Sequence, residues 1–387
     1  MPDTFAVEVL MSWGQEDVTV LKAKFVREFD APGANRSEVC RAYDITRETG
    51  YQTARAYRAA GIPGLGPRSK APHHHPNAVD SDVVEMVLAL RDASPRGTWG
   101  ATKILDLWAR NRIELGSPCR ATVTRILHDY KRSVPRRARN LTPKTRGAPP
   151  PAACPNDVWA IDAKGLWRGI DPLSVIDVHS RYALDLTDVP INTVEVQRVT
   201  GKLFDKHGPP RRIRCDGGPP FGSYGVAKLT RLVVWWLDLG IVVEHVECAQ
   251  HNGHVERFHR TIEQEASHDV NVAEALRDFR DTYNELRPHE MLQGRVPSEV
   301  YRPRPLEPTP FIVPRYDDER LVFGDGSFKW GGERIYISDA LCSRTITFRA
   351  LEKHLWLIRY LHIPLALFNE RRSKLQRLPP EIVELQP

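Results

Sequence analysis

At 387 residues the chain is too long for one ordinary hydrophobic core and predicts two to four domains. Apolar residues make up 41% and charged residues 27%, the balance of a soluble globular protein. A net charge of +6 points to an anionic partner, but so small an excess does not choose among DNA, RNA and a membrane surface.

The six cysteines, at positions 40, 119, 154, 215, 248 and 342, include no CxxC pair, which argues against a zinc ribbon or a redox dithiol. They read as reduced thiols of an intracellular, cytoplasmic protein. Asp3 and Glu8 precede the first basic residue, so the start does not read as a signal peptide. The most apolar run, 232–243, is interrupted by Asp238 and is shorter than the roughly 20 residues of a membrane span.

In chain order, the first expected domain covers residues 1–70. Apolar spacing in NRSEVCRAYDITRETGYQTARAYRAAG predicts two helices with a short turn at Asp44–Thr46. Ser37 and Thr46 are the expected caps and Gly61 the stop. This is the form of a helix-turn-helix, whose second helix would offer Arg47, Gln52 and Arg55, together with Arg58, to phosphates and base edges. A helix pair of this kind is equally compatible with a part that binds nothing.

The Gly- and Pro-rich stretch 61–77 reads as a linker; its three histidines, 73–75, have no further ligands at fixed spacing. Residues 78–132 predict a second module resembling a helix-turn-helix, starting at Asp80 or Ser81. A helix is expected from Ser117–Pro118, exposing Arg120, Thr122, Thr124 and Arg125. A plain helical bundle fits these residues too. Residues 133–155 form a basic, Pro-rich linker with Arg136 and Arg137, which suits a phosphate backbone or simply solvent.

From 156 to 305 the pattern turns to strands alternating with helices. VWAID ends on Asp162 and RRIRCD ends on Asp216; LSVIDVHS and YALDLTDV complete a meander after the first strand. Helices are expected over 192–207, 222–239 and 252–266, the last bearing Glu256. The fold class is therefore multidomain: all-α modules, an α/β core with a mixed sheet, and a small all-β C-terminal domain. Two acids at strand ends and one on a helix are what hard divalent cations require for phosphodiester displacement. Singly, each acid is an ordinary surface residue. Asp162, however, sits in the apolar WAIDAKG, where an unused charge is costly. Asp216 leads into a sharp Gly217–Phe221 turn that leaves its carboxylate projecting. Asp177, before the turn His179–Arg181, reads as structural. Lys164 follows the first acid closely and suits contact with a phosphate or, equally, with solvent. His251, His254 and His259 read as a polar, DNA-facing surface, and Trp235 and Trp236 as core.

Beyond a Pro-rich joint, residues 311–370 alternate as strands, with hairpin signals at Gly324–Gly326 and Gly331–Gly332. About five strands in a small barrel or curled sheet are expected, with 371–387 as a flexible tail.

In order, WAIDAKG, DGGPPF and QHNGHVERFHRT resemble the three blocks of DDE-type insertion-sequence transposases, whose catalytic core is similar to that of retroviral integrases and ribonuclease-H-like in fold. The resemblance implies that Asp162, Asp216 and Glu256 are the catalytic residues and hold two Mg²⁺ or Mn²⁺ ions. It implies a nucleoid-associated enzyme that binds the ends of its element, cleaves the 3′ strand end with water and transfers the 3′-hydroxyl to target DNA. Double-stranded DNA and further copies of the chain would be its partners, with no membrane and no organic cofactor. In this chain Gly217 stands where the family usually has Asn, and 39 residues separate Asp216 from Glu256, more than is usual. Glu263 stands where relatives carry a cation, a role that Arg260, one turn after Glu256, would take over. Two rival readings are a domesticated, catalytically weak DNA-binding regulator and a nuclease of the same fold that acts on RNA–DNA hybrids.

Overall fold

The computed structural model describes residues 18–67, 78–133, 150–246, 252–303 and 311–379. The chain divides into two compact units, Met1–Ala78 and Val79–Pro387. Among the described residues no helix is long and apolar enough to cross a membrane.

In the first unit, helices α1 (Val18–Phe29), α2 (Arg36–Ala42) and α3 (Arg47–Ala60) enclose Phe25, Val26, Phe29, Cys40, Ala54 and Leu65. The cap of α2 is Asn35, not Ser37: its side chain accepts from the Ser37 N–H and starts the helix two residues sooner. Thr46 caps α3 by accepting from the Thr49 N–H, and Gly61 ends it. Helix α3 lies so close to α2 that a Cβ at Gly50 would come 2.7 Å from the Cys40 sulfur.

The second unit begins with α4 (Ser81–Asp92), α5 (Ala101–Arg110) and α6 (Arg120–Asp129), packed around Val87, Ile104, Trp108 and Val123. Asp80 caps α4. The expected start at Ser117–Pro118 is not used; Cys119 is the cap of α6, its backbone extended, and the helix runs from Arg120. These three helices share their unit with the α/β core. Arg110 on α5 pairs at 2.6 Å with Glu299 of α11 (Pro297–Val300).

The core is one mixed five-stranded sheet. Strands β1 (Val158–Ala163), β2 (Leu173–Asp177) and β3 (Ala183–Thr187) form an antiparallel meander, and β4 (Arg212–Cys215) and β5 (Val242–His245) add in parallel beside β1, in the order β3-β2-β1-β4-β5. Alternation along β1 assigns its faces. Val158 and Ala160 pack under α9 (Gly253–Glu265) and α10 (Val272–Glu285). Trp159 and Ile161 pack under α7 (Thr193–His207) and α8 (Arg231–Asp238).

The helix expected over 222–239 is shorter. Gly222 and Gly225 punctuate its first half, where Ser223 bonds the Leu229 carbonyl, and α8 starts only after its cap Thr230. Helix α8 is apolar on two sides. Leu232 and Trp236 face the sheet, whereas Val233, Val234 and Leu237 join the core of the C-terminal domain.

That domain is a five-stranded antiparallel sheet in the order β12-β11-β10-β9-β6, with a β7–β8 hairpin across it. Its strands are β6 (Asp318–Leu321), β7 (Ser327–Trp330), β8 (Glu333–Tyr336), β9 (Thr345–Glu352), β10 (Leu355–Tyr360), β11 (Ile363–Asn369) and β12 (Lys374–Gln376). Residues expected as a flexible tail thus include a strand: β12 pairs with β11, and Leu375 packs on the domain's core.

Candidate active site

The parallel register between β1 and β4 sets Val158 opposite Arg212 and Ala160 opposite Arg214. Carried two residues on, it sets Asp162 opposite Asp216 at the carboxyl ends of adjacent strands. Both acids fall on the parity that faces α9, because Ile213 and Cys215 pack on the other face. Helix α9 buries Val255, Phe258 and Ile262 against that face of the sheet, so Glu256 comes off its flank near the same strand ends.

The electrostatics agree with this placement. Burial and the neighbouring Asp216, with smaller repulsion from Asp171 and Glu256, push the Asp162 carboxyl up to about 7. Asp216 is exposed and its side chain accepts from the Gly218 N–H at 3.3 Å. The turn after it is tightened from its far end, where a Cβ at Gly222 would meet the Gly217 carbonyl oxygen at 2.5 Å. Position 217 itself is open, so the departure from Asn there removes no packing.

Among the described residues no three His, Cys, Asp or Glu side chains stand close enough to cage a metal ion as they lie. The donor set nevertheless suits one: hard carboxylate oxygens, gathered at one end of the sheet and repelling one another, are the ligands Mg²⁺ and Mn²⁺ take.

Two features near Asp162 were not foreseen. Asp171 accepts from the Gly165 N–H at 2.7 Å, across the hairpin from the Asp162 strand end. Ser174, directly opposite Asp162 in the β1–β2 register, donates to the Asp162 carbonyl at 3.0 Å and meets His259 Nε2 at 2.6 Å. Burial holds His259 down to about 4, so it is neutral and ties α9 to β2 rather than facing DNA. The hairpin pairing of 162 with 174 was the available signal for Ser174; nothing local pointed to His259.

Lys164 is not a free cation. Its side chain is 4% exposed and pairs with Glu263 at 2.8 Å, which also accounts for the acid on α9 where relatives have a cation. Arg260 is exposed on the same helix. Asp177 is structural as expected: it is buried and accepts from Asn156 and Ser180. Trp236 is core and Trp235 partly so. In the first unit Arg47, Gln52 and Arg55 are exposed on α3, Gln52 bonding Glu48, whereas Arg58 is tied to Asp30. Arg120 and Arg125 are exposed on α6. Arg136, Arg137, His251 and the histidines at 73–75 lie outside the described residues.

Residues 238–297, which contain Glu256, match the integrase core domain family, and residues 21–73 match a helix-turn-helix domain family. An uncharacterized 31.7 kDa protein of insertion element IS407 from Burkholderia multivorans is 27% identical over 158 residues, or 38% of this chain and 55% of that protein. The chain thus spans about half the length of this curated relative. Among solved structures, the HTLV-2 integrase catalytic core in complex with magnesium aligns over 39% of this chain and 99% of its own, at 16% identity and a TM-score of 0.32. The catalytic core of BIV integrase aligns over 38% and 93%, at 20% identity and a TM-score of 0.30.

Proposed function

From a chain that joins a helix-turn-helix domain to an integrase core domain and is related to an insertion-element protein, we propose a DNA transposase that binds the ends of its element, cleaves the 3′ strand end and transfers it into target DNA. What supports this reading is the β1–β4 register, which carried on sets Asp162 opposite Asp216, together with the repulsion that Asp216 and Glu256 exert on the Asp162 carboxyl. Asp162, Asp216 and Glu256 would hold two Mg²⁺ or Mn²⁺ ions. Bound there, the ions would supply the charge neutralisation and oxygen activation that phosphodiester displacement needs.

The chain's own residues do the placing. The strand ends hold two carboxylates rigidly, and the Ser174–His259 link fixes α9, and with it Glu256, against β2. Water attacks the phosphorus at the element end and the 3′-oxygen leaves with a proton as a 3′-hydroxyl; that hydroxyl then attacks a target phosphodiester, whose own 3′-oxygen leaves in turn and takes up the proton released. Arg47, Gln52 and Arg55 on α3 would meet the end sequence. Purified protein with duplex DNA carrying the element's end should release a nicked strand in Mg²⁺ and none when EDTA replaces the metal. Equal cleavage in EDTA, or none in either Mg²⁺ or Mn²⁺, overturns the assignment.

Arg260, exposed and four residues after Glu256, would hold the DNA end. Arg260→Ala should weaken cleavage about ten- to a hundredfold, the usual effect of losing one charged hydrogen bond, with metal dependence unchanged. Single-turnover cleavage measures it, and a near-normal rate would reduce Arg260 to a surface residue. Glu263→Lys is not a remedy for that loss, because it would set a like charge against the enclosed Lys164.

A further inference from the structure

Helix α9 shows three faces. Val255, Phe258 and Ile262 are core; Glu256 and Arg260 flank the strand ends; His254, Arg257 and Thr261 form a third face, about a third of a turn from Glu256. That third face is one wall of a cleft of about 930 Å³. The opposite wall comes from α5 and α6, through Lys103 and Arg120, and Arg181 and Arg287 close its floor.

The cleft gathers cations beyond what its acids balance. Of the seven Lys and Arg that line it, Arg287 is paired with Glu265 and Arg132 with Asp92. Arg91 spends its guanidinium on the carbonyls of Trp99 and Arg132. Among the described residues Lys103, Arg120, Arg181 and Arg257 have no acid within ion-pair distance, and one buried nitrogen of the Arg181 guanidinium has no hydrogen-bond partner. Asp106 and Glu290 are the acids in the lining. The crowding shows in the titration of the neighbours. Burial, then Arg287, lowers Lys103 to about 8. Arg120 and Arg257 are exposed, whereas Lys103 and Arg181 are half-buried, and a half-buried cation without an acid destabilises a fold unless an anion joins it.

We propose that this cleft seats the phosphodiester backbone of DNA, with Lys103, Arg181 and Arg257 contacting phosphates, and leads the strand toward Glu256 on the next face of α9. The proposal rests on the transposase reading for its choice of DNA. It makes α4–α6 a wall of the substrate channel rather than a separate reader of sequence, and explains why these helices share a unit with the core.

The test uses the full chain in EDTA and a short fluorescent duplex of arbitrary sequence, so that neither metal nor cleavage enters. Affinity is followed by anisotropy across a salt series. Lys103→Gln with Arg257→Gln should weaken binding by about tenfold or more. It should also reduce the slope of log affinity against log salt by about 1.8, or about 0.9 per contact. Melting temperature should hold or rise, since like-charge repulsion is relieved. Lys202→Gln with Lys206→Gln, exposed on α7 over the opposite face of the sheet, should leave the slope nearly unchanged. An unaltered slope in the cleft variant, an equal fall in the α7 variant, or a fall in melting temperature with binding intact overturns the proposal. So does a loss seen with an RNA hairpin but not with DNA. If the wild-type chain cleaves no element end while the cleft variant still loses its slope, the transposase reading fails and the cleft assignment stands.

Discussion

Asp162→Asn, Asp216→Asn and Glu256→Gln should each reduce strand cleavage about a thousandfold or more while leaving duplex binding largely intact. The charge stabilisation at stake in metal-assisted phosphoryl displacement is several kcal/mol, and each step of about 1.4 kcal/mol is tenfold in rate. The amides keep the shape of the acids, so packing at the strand ends is preserved. The fold should not suffer, because Asp162 is held up to about 7 by burial and by its acidic neighbours; removing a repelled charge relieves the metal-free protein. Two measurements separate chemistry from folding. Single-turnover cleavage of end DNA should be lost in all three variants, and the melting temperature of Asp162→Asn without metal should equal or exceed that of the parent. Near-normal cleavage by any one of them removes that residue from the site. A melting temperature several degrees lower would mean that the acid is structural.

Phe348→Ala should destabilise the protein by about 3–5 kcal/mol, the usual cost of emptying a fully buried phenylalanine site. Phe348 is completely enclosed on β9, with ring centroids of Trp330 and Phe328 at 5.0 and 5.3 Å. The loss should not stay in the C-terminal sheet. The same apolar cluster contains Val233, Val234 and Leu237 of α8, whose other side packs on the catalytic sheet. Asp238, at the end of α8, accepts from Arg344 at 2.7 Å and from the Tyr360 hydroxyl. The two sheets should therefore unfold in one transition that moves down as a whole. Calorimetry beside tryptophan fluorescence checks this. A separate early transition, with the remainder unchanged, would show that α8 does not couple them.

What the sequence determined by itself is local. The caps Thr46 and Asp80 and the turn Gly331–Gly332 follow from side chains that bond or bend the backbone within a few residues. The strands leading to Asp162 and Asp216 follow from short apolar runs, buried along most of their length, that end on a carboxylate. The near misses are local competitions as well: Asn35 outbid Ser37 and Cys119 replaced Ser117, each a choice among neighbours that all suit an extended cap. The tertiary structure decided what depends on distant partners. The register that sets Asp162 beside Asp216 is a pairing across more than fifty residues, with no marker in either segment. Lys164 lost its expected freedom to Glu263, 99 positions away, and His259 found Ser174 85 positions before it. The short apolar run of α8 revealed two buried sides only once a second sheet lay against it. The basic cleft follows the same rule: its cations come from helices that sequence spacing treats as separate modules, and their charge adds up only where the chain folds them face to face.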